Sequence, residues 1–366
     1  MSPAPRTVSR TWPLATPVVA LAALAATWGR DVGPGVVALV AVLLAGAVLA
    51  AVHHAEVIAH RVGEPFGSLV LAVAVTVIEV ALILTLMVAG GHKAETLARD
   101  TVFAAAMITM NGVVGLSLLV GALRHGVPRF NAEGTGSALA TLVALATLSL
   151  VLPTFTTSAS GSQFSPPQLV FAGVCSLGLW VTFVLTQTGR HRDFFLPVVE
   201  EDTGVDEDGH AAPPSGRTAL VSLRLLVVAL AAVVGLAKVE SPAIEAGVEA
   251  VGFPPSFVGV VIALLVLAPE TMASVRAARR NLMQTSLNLA YGSAMASIGL
   301  TVPAIAVASI WLDGPLVLGL GSVQMVLLLL TVLVSVLTIV PGRATRLEGA
   351  VHLVLFAAFV FLSISP

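Results

Sequence analysis

The sequence predicts an all-α integral membrane protein with about eleven transmembrane helices: one N-terminal helix, then two five-helix repeats of inverted topology. Three observations carry this expectation. The composition is too apolar for a water-exposed surface, the apolar runs have bilayer length, and the basic residues alternate between the two faces those runs define. Of 366 residues, 57% are hydrophobic and only 10% charged, against about 25% charged in soluble domains. Mean hydropathy is +0.99.

A helix needs about 20 apolar residues to cross the hydrocarbon core. Runs that meet this rule lie near 14–29, 34–54, 66–90, 100–123, 135–155, 167–188, 218–238, 256–276, 284–311, 315–340 and 346–364. The first is the shortest. Two arginines, Arg6 and Arg10, precede it as in a signal peptide, but further spans follow and no soluble domain does, so it reads as a transmembrane helix. The runs are solid rather than alternating, which excludes a β-barrel.

With the N-terminus in the cytoplasm, 14 of the 18 Lys and Arg fall inside. Arg30, Lys93, Arg99 and Lys238 fall outside. This positive-inside bias supports the helix count, because one span too many or too few would scramble the alternation. The same count places the C-terminus outside.

Residues 1–33 form the N-terminal tail and first helix, 34–188 the first repeat, 189–217 a linker and 218–366 the second repeat. The linker contains EEDTGVDEDGH. Its dense acid and low hydrophobicity predict a mobile cytoplasmic connector.

The repeats show in the third and eighth spans. Phe66 precedes Glu79 by 13 residues, and Phe257 precedes Glu270 by 13. Each phenylalanine follows a Gly/Pro-rich entry, GEPFG or GFPPSFVG. Five helices is an odd number, so the two units enter the membrane from opposite sides, a common construction in secondary transporters.

Glu79 and Glu270 lie deep in their spans, and no Lys or Arg sits at comparable depth. A charge at the bilayer centre costs about 2.5–3.5 kcal/mol even on the mild insertion scale, which points to a cation or proton site. Thr76 is one turn before Glu79. Pro269 has no N–H, so the Leu265 carbonyl lacks its helical donor and is a further oxygen for a hard cation. Asn111 and Gly112 in the fourth span, and Asn288, Ser293 and Ser297 in the ninth, add candidate ligands or close helix approach. His53, His54 and His60 cluster at the inner end of the second span, where solvated interfacial histidines are common, and His352 lies in the last span. Cys175 sits in an apolar run and reads as a packed side chain.

Several stretches resemble the calcium/cation antiporter superfamily, most closely its bacterial ChaA-type calcium/proton (sodium-potassium/proton) branch: HHAEVIAHRVGEPFGSLVLAVAVTVIEVALIL, TMNGVVGLSLLVGALRHG, FVGVVIALLVLAPETMASVRAARRN, LNLAYGSAMASIGLTVPAIAV and RATRLEGAVHLVLFAAFVFL. They cover essentially residues 50–364. The resemblance implies an antiporter of the cell (inner) membrane exchanging cytoplasmic Ca²⁺, or Na⁺ or K⁺, for external protons, with the ion carried by Glu79 and Glu270 and with Ser293 as a ligand. Val75-Thr76 and Val266-Leu267 stand where the wider calcium/proton family has Gly-Asn. Fewer amide oxygens weaken the argument for Ca²⁺, which takes six to eight ligands, and leave monovalent cations open.

A sodium/calcium-type exchanger is the close alternative, and a passive cation channel a more distant one. The sequence has no P-loop and no HExxH or GxSxG pattern, so no enzyme and no cofactor is expected. The expected partners are inorganic cations, protons and the bilayer. No basic stripe suits nucleic acid.

Overall fold

The computed structural model describes residues 11–30, 32–63, 66–90, 95–189, 191–196, 214–311 and 314–365. Eleven long helices follow one another: α1 (Trp12–Thr27), α2 (Pro34–Val62), α3 (Phe66–Gly90), α4 (Leu97–His125), α5 (Ala132–Phe155), α6 (Pro166–Thr188), α7 (Gly216–Ala250), α8 (Phe257–Arg279), α9 (Met283–Ala308), α10 (Ser322–Ile339) and α11 (Arg346–Ile364). Among the described residues, nine of them are long and apolar enough to cross a bilayer. α1 and the Ala72–Thr85 stretch of α3 are shorter apolar segments. A helix stands at each of the eleven expected runs, and among the described residues two isolated β-bridges take the place of any strand.

Helix starts carry local signals. Asn131 caps α5, its Oδ1 accepting from the Glu133 and Gly134 amides at 2.9 and 3.1 Å. At the start of α6, Gln168 Oε1 accepts from the Ser165 amide and hydroxyl, and at the start of α11 Thr345 and Glu348 form a reciprocal capping box. Two ends differ from expectation. α2 continues eight residues past position 54, and α7 twelve past position 238. Polar residues such as HHAE and KVE end an apolar run, but they do not end a helix. The ends come instead near glycines in the left-handed region, Gly63 at φ 79° and Gly252 at φ 77°.

The chain forms two compact units that cut across the repeats. One comprises Met1–Ala74 and His210–Ala243, the other Val75–Gly209 and Ile244–Pro366. In the first, α1 packs between α2 and α7. Gly46 of α2 leaves room for Thr16, and Gly235 of α7 leaves room for Leu24. His54 bonds the Pro13 carbonyl at 2.9 Å, and Lys238 lies 5.0 Å from the Trp28 ring centre.

The second unit is built around α4 and α9. α4 is 83% buried along its apolar window, against 17% for α11, so α4 is core and α11 is rim. α4 contains a π-helical turn, Ile108–Val113, and α5 another, Thr147–Val151. Glycines bring α4 and α11 into backbone contact. A Cβ at Gly349 would lie 2.6 Å from the Leu119 amide nitrogen and 2.9 Å from the Gly115 carbonyl oxygen. On α9, Gly299 lies against Trp180 of α6, and on α6 Gly173 lies against Pro303 of α9.

Inverted symmetry is visible in the loops. Arg129, between α4 and α5, bridges to Arg343, between α10 and α11. Val317, between α9 and α10, bridges to Gln163, between α5 and α6. Matching α4–α6 to α9–α11 turns the first bridge into the second at the opposite end of the helices.

The expected linker is partly packed. Arg192–Phe195 forms a 3₁₀ turn, Phe195 is buried, and its ring meets Phe183 edge-on at 5.6 Å. Two adjacent phenylalanines give this segment apolar surface that an acidic connector lacks. Its acidic remainder, 197–213, lies outside the described residues, as do Arg6, Arg10, Lys93 and Pro366.

Candidate cation site

One helix holds both candidate carboxylates. Ser293 and Ser297 are four residues apart on α9 and therefore share a face. Ser293 Oγ donates to Glu270 Oε2 of α8 at 2.5 Å, and Ser297 Oγ donates to Glu79 Oε1 of α3 at 2.5 Å. Glu79 is 2% exposed and Glu270 7%. The matched residues of the two repeats thus meet one turn apart on a third helix.

The surroundings are apolar or hydroxylic. Thr76, one turn before Glu79, is buried. Pro269 is buried within α8, so the Leu265 carbonyl has no amide donor at position 269. Among the described residues neither carboxylate has a salt-bridge partner, whereas Asp100 is paired with Arg99 at 2.8 Å. No group of three His, Cys, Asp or Glu side chains gathers among them. A cation here would be held by two carboxylates with hydroxyl and carbonyl oxygens, the donor set of a hard ion.

Two expected ligands have other engagements. Asn111, in the π-helical turn, donates to Thr331 of α10 at 2.9 Å and pairs through Oδ1 with His352 Nδ1 of α11 at 3.2 Å. His352 Nε2 pairs with Thr338 at 3.2 Å. Asn288 donates to the Phe195 carbonyl at 2.6 Å and accepts from Gln284 at 2.8 Å. It lies nine residues before Ser297, about half a turn around α9, so it faces away from the carboxylates. Asn111 thus links α4 to α10 and α11, and Asn288 links α9 to the 3₁₀ turn. Gly112 faces Phe356 of α11.

The histidines at the end of α2 divide. His60 is exposed and His53 half-buried. His54 is buried against the Pro13 carbonyl, so it is an interior group rather than a solvated interfacial one. Cys175 is a free, half-buried thiol.

The bond from Ser297 to a glutamate of the other repeat went unforeseen in the sequence. The available signal was the four-residue spacing of Ser293 and Ser297, which matches one helical turn and hence two clients on one face. The polar partners Thr331, Thr338 and Gln284 were missed because a lone polar residue in an apolar run does not reveal which helix it faces.

Fold and geometry define a multi-span membrane protein with a paired, buried carboxylate centre. The chain belongs to the sodium/calcium exchanger protein family, whose sequence pattern matches residues 32–189 and 221–365. It is 48% identical over 324 residues to the putative ionic transporter y4hA of Sinorhizobium fredii, covering 88% of this chain and 87% of that one. It is 35% identical over 347 residues to the sodium-potassium/proton antiporter ChaA of Escherichia coli, covering 94% and 93%. The solved structure of native YfkE has the same fold, with a TM-score of 0.69 at 17% identity over 97% of this chain and 99% of that one.

Proposed function

We propose that this chain is a secondary antiporter that exchanges cytoplasmic Ca²⁺, or Na⁺ or K⁺, for external protons by alternating access at Glu79 and Glu270. The observation that carries the reading is the carboxylate pair itself: two acids from opposite repeats, buried on α9 hydroxyls, with no basic counterion among the described residues. Such a pair is stable in lipid only when neutralised, and a cation or protons neutralise it equally well.

The cycle follows from that requirement. Facing inward, the pair sheds protons and binds a cation through the carboxylates, with the Ser293 and Ser297 oxygens, the Thr76 hydroxyl and the Leu265 carbonyl as further ligands. Neutralised, the site reopens outward, the cation leaves, and external protons take its place. An empty, doubly charged pair resists burial, which couples the two fluxes. The bias of basic residues puts the N-terminus in the cytoplasm and the C-terminus outside a bacterial-type inner membrane.

The name of the Escherichia coli relative favours protons as counter-ion, and the family description favours Na⁺/Ca²⁺ exchange as the second reading. Dye-reported proton flux in inverted vesicles separates them. Cation-driven proton movement without sodium supports the first, sodium-dependent Ca²⁺ flux without proton movement supports the second, and current that persists with the pH gradient collapsed indicates a channel.

A further inference from the structure

Seven buried hydroxyls among the described residues lack a hydrogen-bond partner, and four of them lie on α9, α8 or the first part of α4, three helices packed against one another. Thr101 of α4, Ser274 of α8, and Ser286 and Thr301 of α9 are each 0% exposed and have no hydrogen-bond partner among the described residues. A helical Ser or Thr can satisfy itself on the carbonyl four residues back, as Thr271 does on Leu267 at 2.8 Å in α8. These four do not. Buried polar groups in native proteins are paired, with protein or with ordered water.

Their placement is ordered. At about 100° per residue, Ser286, Ser293, Ser297 and Thr301 fall within an arc of about 80° on α9 and form a row about 22 Å long. The middle two hold the carboxylates, so the row has one unpartnered hydroxyl at each end. α8 and α9 are antiparallel, joined by the turn at 280–282. Ser274, one turn beyond Glu270 toward that turn, therefore lies on the Ser286 side. Thr101 lies on the Thr301 side, because Gly259, at the far end of α8, would place a Cβ 3.1 Å from Thr101 Oγ1.

We propose that this row is a hydrated proton path, divided by the carboxylate pair into two half-paths. Ser274 and Ser286 hold water on one side, and Thr101 and Thr301 hold it on the other. Neutral hydroxyls spaced by one to two turns lack the charge to strip a cation of its water, but they order water molecules that pass protons to Glu79 and Glu270. Of the ionisable groups on the same helices, Asp100, next to Thr101, is tied to Arg99 and to Thr96 at 2.8 Å each, Tyr291 is a buried phenol on α9, and Arg276 and Arg279 stand in the last turn of α8 beyond Ser274; none of them is part of the path. The proposal rests on the reading of Glu79 and Glu270 as the coupling site. With the N-terminus inside, Ser286 belongs to the cytoplasmic half and Thr301 to the outer half.

The test uses full-length protein in proteoliposomes with a trapped pH dye. The variants are Thr301→Val, Thr301→Ser, Ser286→Ala and, as reference, Glu270→Gln. Thr301→Val should slow exchange about 3- to 10-fold, deepen the dependence on outer pH and raise the H₂O/D₂O rate ratio. Ser286→Ala should do the same for inner pH. Thr301→Ser should restore the rate, and equilibrium cation binding should be unchanged in all three. Wild-type rate and isotope ratio in both Thr301→Val and Ser286→Ala would overturn the path, and so would slowing confined to the same side in both. If Thr301→Val is unstable in detergent and Thr301→Ser is as slow as Val, the rate follows the packed shape of the side chain and not its hydroxyl, and the path again fails. Exchange that survives in Glu270→Gln overturns the coupling site instead, whatever the hydroxyl variants do.

Discussion

Ser297 on α9 donates its hydroxyl to Glu79 on α3, 218 residues earlier in the chain, while one turn away Ser293 serves Glu270. One helix of the second repeat thus organises the acids of both. Hydrogen bonds to charged groups contribute about 1.5–3 kcal/mol, so Ser293→Ala and Ser297→Ala should each raise the half-saturating cation concentration about tenfold or more. Exchange titrations in vesicles, with expression matched, check this. Unchanged affinity in both would show that the serines only pack.

The carboxylates are expected to be indispensable. Glu79→Gln and Glu270→Gln keep nearly the same shape and remove a charge that is costly in lipid, so insertion should be normal while coupled exchange falls below detection. Asp at either position should retain partial exchange at most, because the shorter side chain withdraws an oxygen from the site. Near-normal dye-reported exchange in a Gln variant would remove that glutamate from the mechanism.

In the proposed cycle protons and cation compete for the same oxygens, which sets the sign of the expected pH dependence. Lowering pH fills the carboxylates with protons that a cation must displace, so apparent cation affinity falls as pH falls. By linkage, the loss approaches tenfold per pH unit for each proton displaced in the range where the pair is protonated. Cation titrations at several pH values read this directly, and affinity independent of pH is incompatible with competition.

The α4–α11 crossing depends on glycine. A Cβ at Gly115 would lie 2.8 Å from His352 Cβ, so Gly115→Ala should destabilise the protein by about 1–3 kcal/mol, the usual cost of overpacking. Gly178 on α6 meets nothing within 4 Å. Gly178→Ala should be neutral or stabilising by up to about 1 kcal/mol. Thermal unfolding in detergent compares the two.

Topology is testable on a Cys175→Ser background. A cysteine at Val127, between α4 and α5, should be labelled from the cytoplasm, and one at Ser160, between α5 and α6, from outside. Labelling of both from one face would refute the proposed orientation.

The sequence by itself determined the class and the count. Eleven apolar runs became eleven helices because a bilayer leaves a spanning backbone no alternative to satisfying its own hydrogen bonds. The matched Phe–Glu spacing of α3 and α8 exposed the repeats and both acids, because charge in lipid is too costly to be incidental. Helix ends were less legible: hydropathy reports where lipid stops, whereas α2 and α7 run on as far as their glycines. Only the tertiary structure decided which polar side chains meet. Asn111 and Ser297 look alike in sequence, each a polar side chain within a mainly apolar helix. Helix rotation and packing turn Asn111 toward His352 and Thr331, and turn Ser297 toward Glu79. Facing is a property of pairs of helices, set by close contacts such as Gly115 with His352 and Gly299 with Trp180, and no single segment encodes it.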